Sequence, residues 1–141
     1  MSFIDSQTHL GDSQAFTASG PTTNYLDCGV ARNLGSGEPM ALVFTVTTAP
    51  GGTTPTFSFA LQDDSDPAFG TVVTELTASP AAANLVVGTQ VVLPLPPKLN
   101  RYLRGYLTLG GTSPTISCSA DIIPLSDVRE SAHYAAGYTI A

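Results

Sequence analysis

The residues that could do chemistry are few and widely separated. His9 and His133 are the two histidines, one near each end of the chain. A Ser-His-Asp site needs an imidazole held rigidly between a nucleophile and an orienting acid. Terminal segments are poor places for that rigidity, and no G-x-S-x-G elbow is present. Both histidines are therefore expected on exposed arms. Cys28 and Cys118 form no CxxC pair and would need two more His or Cys nearby to hold zinc. In a reducing compartment they are expected as two buried thiols, and a disulfide needs their strands to be neighbours. Asp63-Asp64-Ser65-Asp66 is the one acidic cluster. Calcium wants several oxygens at close range, but the cluster lacks the spacing and glycine of an EF-hand, and Pro67 follows directly. It is expected to be a solvated turn whose Asp side chains cap the local backbone. There is no Walker loop, dinucleotide fingerprint or H-E-x-x-H. No catalytic, cofactor-binding or metal-binding residue is nominated, and the chain is not expected to be an enzyme.

A binding surface has better candidates. Arg101-Tyr102-Leu103-Arg104-Gly105-Tyr106 places Tyr102, Arg104 and Tyr106 on one face of a strand. Tyr and Arg are enriched at binding hot spots. Such a face is equally what an ordinary amphipathic strand presents to solvent. Stacking of single-stranded nucleic acid on it is conceivable, but the charge balance opposes that. Five Lys and Arg stand against eleven Asp and Glu, a formal net charge of −6. The cations are scattered, whereas nucleic-acid binders show a basic patch. An acidic surface also disfavours anionic membranes.

Strands must position these residues. Met40, Leu42, Phe44 and Val46 share one face of a strand over residues 40–48. Phe57, Phe59 and Leu61 alternate with Thr56, Ser58, Ala60 and Gln62. Ile116, Cys118, Ala120 and Ile122 alternate with Thr115, Ser117, Ser119 and Asp121. Burying the polar set would leave hydroxyls and a carboxylate without partners, so the register is well specified. Weaker strands are expected near residues 15–18, 24–28, 71–77, 90–95 and 101–109. The total is about eight, at the spacing of a sandwich or barrel. Residues 35–39, 49–52 and 94–97 carry turn chemistry, and Gly110 to Pro114 reads as a hairpin connection. Pro80 to Leu85 suggests one helical turn. No internal repeat or domain linker is expected.

The chain has 141 residues, the size of one domain that can bury a core unaided. Charged residues make up only 11%, against roughly 25% in typical soluble chains. Thr, Ser, Gly and Pro replace them, which suits strand faces and turns. The first residues lack the basic start and apolar run of a signal peptide. No apolar stretch reaches the ~18–20 residues of a membrane helix. Synthesis in a cytoplasm is expected, with the product soluble or exported by another route.

The expected organisation is an N-terminal arm over 1–14, a β-sandwich over 15–123 and a C-terminal arm over 124–141. The last segment has no strand or helix period but holds Val128, Tyr134, Tyr138 and Ile140. Such anchors suit an arm that crosses to a neighbouring subunit.

Several segments occur in a telling order. Asp5-Ser6-Gln7 leads to Asp12-Ser13-Gln14-Ala15. Asp27-Cys28-Gly29-Val30-Ala31-Arg32 runs into Gly35-Ser36-Gly37-Glu38-Pro39. Leu93-Pro94-Leu95-Pro96-Pro97 precedes Asn100-Arg101-Tyr102-Leu103-Arg104, and the strands around Gly110-Gly111-Thr112 close the series. From the start to Ile123, this resembles the small capsid cement, or decoration, proteins of tailed bacteriophages, of the type on Bordetella phage heads. The resemblance implies a jelly-roll of two packed antiparallel sheets. It also implies a homo-oligomer on the outer surface of the capsid, clamping neighbouring major capsid subunits, with no cofactor. A dimer is the first expectation and a trimer the second. The tail after Pro124 lies outside the resemblance. Other expectations are a tail, connector or receptor-binding virion component, or a carbohydrate-binding module, which would need aromatic platforms from five Tyr and no Trp.

Overall fold

Alternating side chains build two unusually long strands, and the rest of the fold is arranged on them. The computed structural model describes residues 9–28, 40–96 and 99–124. Its strands are β1 (His9–Phe16), β2 (Gly20–Pro21), β3 (Leu26–Asp27), β4 (Met40–Asp64), β5 (Val73–Ala78), β6 (Gln90–Pro94) and β7 (Tyr102–Pro124). A 3-10 turn, Ala82–Asn84, falls within the expected 80–85 segment. All strand pairs are antiparallel. The protein is all-β, as the alternation predicts. β1 begins at His9, so residues 9–14 form part of a strand where an arm is expected.

β4 and β7 run side by side as one ribbon, from Met40↔Pro124 to Asp64↔Tyr102. The strands expected at 40–48 and 56–62 are the two halves of β4. Those expected at 101–109 and 115–123 are the two halves of β7. One half of the ribbon is flanked by β1 and β6, and the other by β2, β3 and β5. The halves face each other. Phe44 of the first meets Phe59 of the second with ring centroids 5.0 Å apart. Both rings are fully buried, with Leu42, Leu61, Leu103, Leu107, Ile116 and Ile122 in the same cluster. Each such side chain contributes roughly 1.5–3 kcal/mol relative to exposure. The result is a two-layer sandwich whose layers are joined by hydrogen-bonded strands. A smaller cluster of Ala41, Val43 and Ile123, with Val92 against it, is also buried.

The ribbon folds over at a corner that the sequence spells twice. Gly51-Gly52-Thr53-Thr54-Pro55 and Gly110-Gly111-Thr112-Ser113-Pro114 differ at one position, which corrects the expectation of no internal repeat. Neither unit is a chain-reversing turn. Both strands pass through, and every interruption of the β4–β7 register falls between Val46 and Thr56. Gly110 to Pro114 is thus not a hairpin connection, because glycine and proline here bend a strand rather than end it. The two units match in conformation as well. Gly52 and Gly111 have φ of 104° and 97°, and Thr54 and Ser113 have φ of 45° and 50°. A Cβ on Gly52 would lie 2.6 Å from the Ser113 carbonyl oxygen, and one on Gly111 would lie 2.5 Å from that of Thr54. Thr53 pairs with Thr112, and Gly51↔Thr115 mirrors Thr56↔Gly110. A local two-fold relation passes between Thr53 and Thr112.

Candidate protein-binding face

Folding disperses most of the residues nominated for chemistry. His9 lies on β1, half-buried, with Nδ1 against the Asp121 carboxylate and Nε2 3.9 Å from that of Asp12. It is therefore not on a free arm, and the carboxylate on the polar side of β7 has a partner. His133 lies outside the described residues. Cys28 and Cys118 form no disulfide. Cys28 continues β3 beside Arg101, whereas Cys118 pairs with Val46 in the other layer. Cys118 is buried as expected, and burial pushes its thiol up to about 12; Cys28 is only half-buried. Among the described residues, no group of three or more His, Cys, Asp or Glu could hold a metal ion.

The acidic cluster is partly the capping turn expected and partly core. Asp63 is fully buried and Asp64 nearly so, so these two are not solvated. Asp63 Oδ2 accepts the Asn100 N–H at 2.7 Å. Its Oδ1 is buried without a donor. The neighbouring Glu75 is raised above its ordinary value by burial, and further by the adjacent Asp63 carboxylate. When protonated, Glu75 can supply the missing proton. It reaches this position at a register shift, since Leu61 pairs with Leu76 but Gln62 pairs with Thr74.

Asp64 and Asp66 shape the next loop. Asp64 Oδ1 accepts the Asp66 N–H at 3.1 Å and Oδ2 accepts the Thr71 N–H at 2.8 Å. Asp66 Oδ1 accepts the Ala68 N–H, and the Asp66 carbonyl accepts the Phe69 N–H, each at 2.9 Å. Burial of Asp64 opposes its charge. Hydrogen bonds from the Thr71, Asp66 and Ser65 backbone and from the Ser65 side chain outweigh burial and hold the carboxyl below its ordinary value. The loop sets Phe69 at φ 53° and delivers its ring to the face of β7.

That face carries the nominated strand residues. Leu103, Gly105 and Leu107 point into the core, and Tyr102, Arg104 and Tyr106 share the opposite side. Tyr102 is buried and the other two are half-buried. The Arg104 guanidinium lies 4.3 Å from the centre of the Phe69 ring and 5.4 Å from that of Tyr106. Its Nε donates to Gln62 Oε1 at 2.9 Å. Tyr25, 43% exposed, packs edge-on against Phe69 and Tyr102 with centroids 5.8 and 5.6 Å away. Arg101 lies 4.9 Å over Tyr102 and donates through Nε and Nη2 to Asp27 at 2.8 and 3.1 Å. Between Thr22, Asn24, Pro67, Phe69 and Arg104 is an open cavity of about 190 Å³.

The sequence alone does not place Tyr25 and Phe69 on this face. Tyr25 stands just before a two-residue strand and Phe69 in a loop, where no periodicity marks a shared face. Val128, Tyr134, Tyr138 and Ile140 lie outside the described residues.

An aromatic and arginine surface with a shallow cavity can hold a protein side chain. No match is found among the curated proteins. The Bbp16 family model matches residues 10–122, a stretch that takes in nearly all of the ribbon and its flanking strands, and the arginine face. The chain thus belongs to the Bbp16 family, a family of bacteriophage proteins.

Proposed function

We propose that the protein is a capsid decoration protein, which binds the outer surface of a tailed-phage head and clamps neighbouring major capsid subunits. The face formed by exposed Tyr25 and half-buried Phe69 and Arg104 on a double-layered sheet carries this reading. It offers a partner aromatic area and a cation already held in place, so little side-chain entropy is lost on docking. Membership of a phage family supports the virion as the place where that partner is found.

The physical task needs no chemistry. A ligand that binds only the assembled shell stabilises that state by mass action. Several footholds across a subunit junction raise the effective concentration of each. A homo-oligomer provides them, with a dimer ahead of a trimer, and the 124–141 segment, with Val128, Tyr134, Tyr138 and Ile140, is an arm to a neighbour. In this reading nucleic acid and membrane are not partners.

The test is binding of the purified protein to phage heads that lack it, scored by co-sedimentation and particle imaging. Regular density at subunit junctions on the outer shell is expected. Density at the tail or portal would assign another virion role, and absence of binding would remove the decoration role.

A further inference from the structure

Arg104 is a guanidinium with unused capacity. Its Nε is committed to the neutral Gln62 side chain, and its two stacking partners, Phe69 and Tyr106, carry no carboxylate. Among the described residues it makes no ion pair; the arginine pair there is Arg101 with Asp27. Asp64 is near enough to favour its charge, but the Asp64 oxygens are taken by the Asp66 and Thr71 N–H groups. Burial pulls Arg104 below its ordinary value, against the opposing influence of Tyr106 and Asp64. A partly desolvated cation without a counter-ion favours an incoming anion. The terminal Nη pair forms a planar fork that fits a carboxylate with two parallel hydrogen bonds.

The surroundings narrow the choice. The cavity beside Arg104 has a volume of about 190 Å³, enough for a side chain. Its walls combine the Phe69 ring and Pro67 with polar Thr22 and Asn24. A polyanion is a poor fit, because nucleic acid is held by several cations together and this chain has a formal charge of −6. We propose that the Arg104–Phe69 cavity is the socket for one Asp or Glu side chain on the surface of a partner protein, flanked there by an apolar residue that rests on Tyr25 and Phe69. This deepens the head-binding reading and rests on it only for the identity of the partner.

Two experiments separate the socket from that reading. In the first, the full chain is titrated with the blocked dipeptide N-acetyl-Phe-Glu-amide while the NMR signals of Arg104 Nε–H and the Thr22–Asn24 amides are followed. A saturable shift is expected, absent with N-acetyl-Phe-Gln-amide and absent from the Arg104→Met protein. Arg104→Lys, which keeps the charge but not the fork, should retain only a weak response. No shift, equal shifts from both dipeptides, or a stronger response to inorganic phosphate would overturn the carboxylate socket. In the second, Arg104→Gln is expected to lower affinity for heads about tenfold or more while circular dichroism stays unchanged. Unchanged affinity in that variant, with normal binding by the parent protein, would sink the socket's role alone. If the parent protein binds no heads, the decoration reading falls and the dipeptide titration still decides the socket.

Discussion

The Arg104 guanidinium carbon lies 4.3 Å from the centre of the Phe69 ring, although one residue is on a central strand and the other in a loop. The loop holds this distance with the Asp66 and Thr71 N–H groups donating to the Asp64 carboxylate. A carboxylate at the end of β4 thereby controls a surface that it does not itself form. This dependence can be tested away from the surface.

Asp64→Asn should loosen the loop while sparing the sandwich. The Asp66 and Thr71 amides should exchange faster with solvent, and affinity for heads should fall several-fold. The Asp64 carboxyl is held below its ordinary 3.8. Its stabilisation is thus complete above that value and lost as pH falls through the lowered folded-state value. The melting temperatures of the parent and the variant should therefore converge in acid, below pH 3.8. A constant difference across that range would count against the assignment.

Glu75→Gln should act in the opposite direction. Glu75 is raised above its ordinary 4.5 by burial and by Asp63. Its favourable contribution is complete below 4.5 and is lost as pH rises through the raised folded-state value. An amide in its place can donate to Asp63 at every pH. The variant should melt about 1–3 °C higher at neutral pH, with the advantage shrinking toward acid. Thermal unfolding at several pH values reads both effects.

Gly105→Ala tests the contact between the layers. An added Cβ would lie 2.6 Å from Phe44 Cζ and 2.8 Å from Thr22 Cγ2. Overpacking of this kind costs about 1–3 kcal/mol. Adding Phe44→Leu should recover part of the loss, because the methyl then occupies vacated space. A double-mutant cycle by urea unfolding measures the coupling.

Gly52→Ala and Gly111→Ala should behave as a matched pair. Each places a Cβ against a carbonyl of the other strand, at nearly the same distance and with a similar positive φ. Losses of about 1–3 kcal/mol are expected, equal within roughly 0.5 kcal/mol. A large inequality in urea midpoints would show that the two corners carry unequal weight.

Period-two alternation made the sheets legible in the sequence. Phe57, Phe59 and Leu61, and likewise Ile116, Cys118 and Ile122, are buried as their spacing predicts. The corners are not legible in the sequence, because Gly-Gly and Pro usually announce a reversal of the chain and only the pairing of β4 with β7 reveals a bend. The common face of Tyr102, Arg104 and Tyr106 is legible because one strand carries all three. Tyr25 and Phe69 join them through contacts between distant segments, which local spacing does not encode. The Asp63–Glu75 pair was hidden for a related reason, since a register shift rather than the alternation brings Glu75 within reach.

The twin corners bear on misfolding. The ribbon joins residues as far apart as Met40 and Pro124, and distant pairings form slowly and invite slipped alternatives. A slip by one residue would turn the apolar set of a strand to the wrong side. It would also move both glycines off the opposing Thr-Pro and Ser-Pro backbones in the same step. A single error is therefore penalised at two places related by symmetry. The repeated unit thus sets the native register of the ribbon apart from its neighbours by sterics at two separate points.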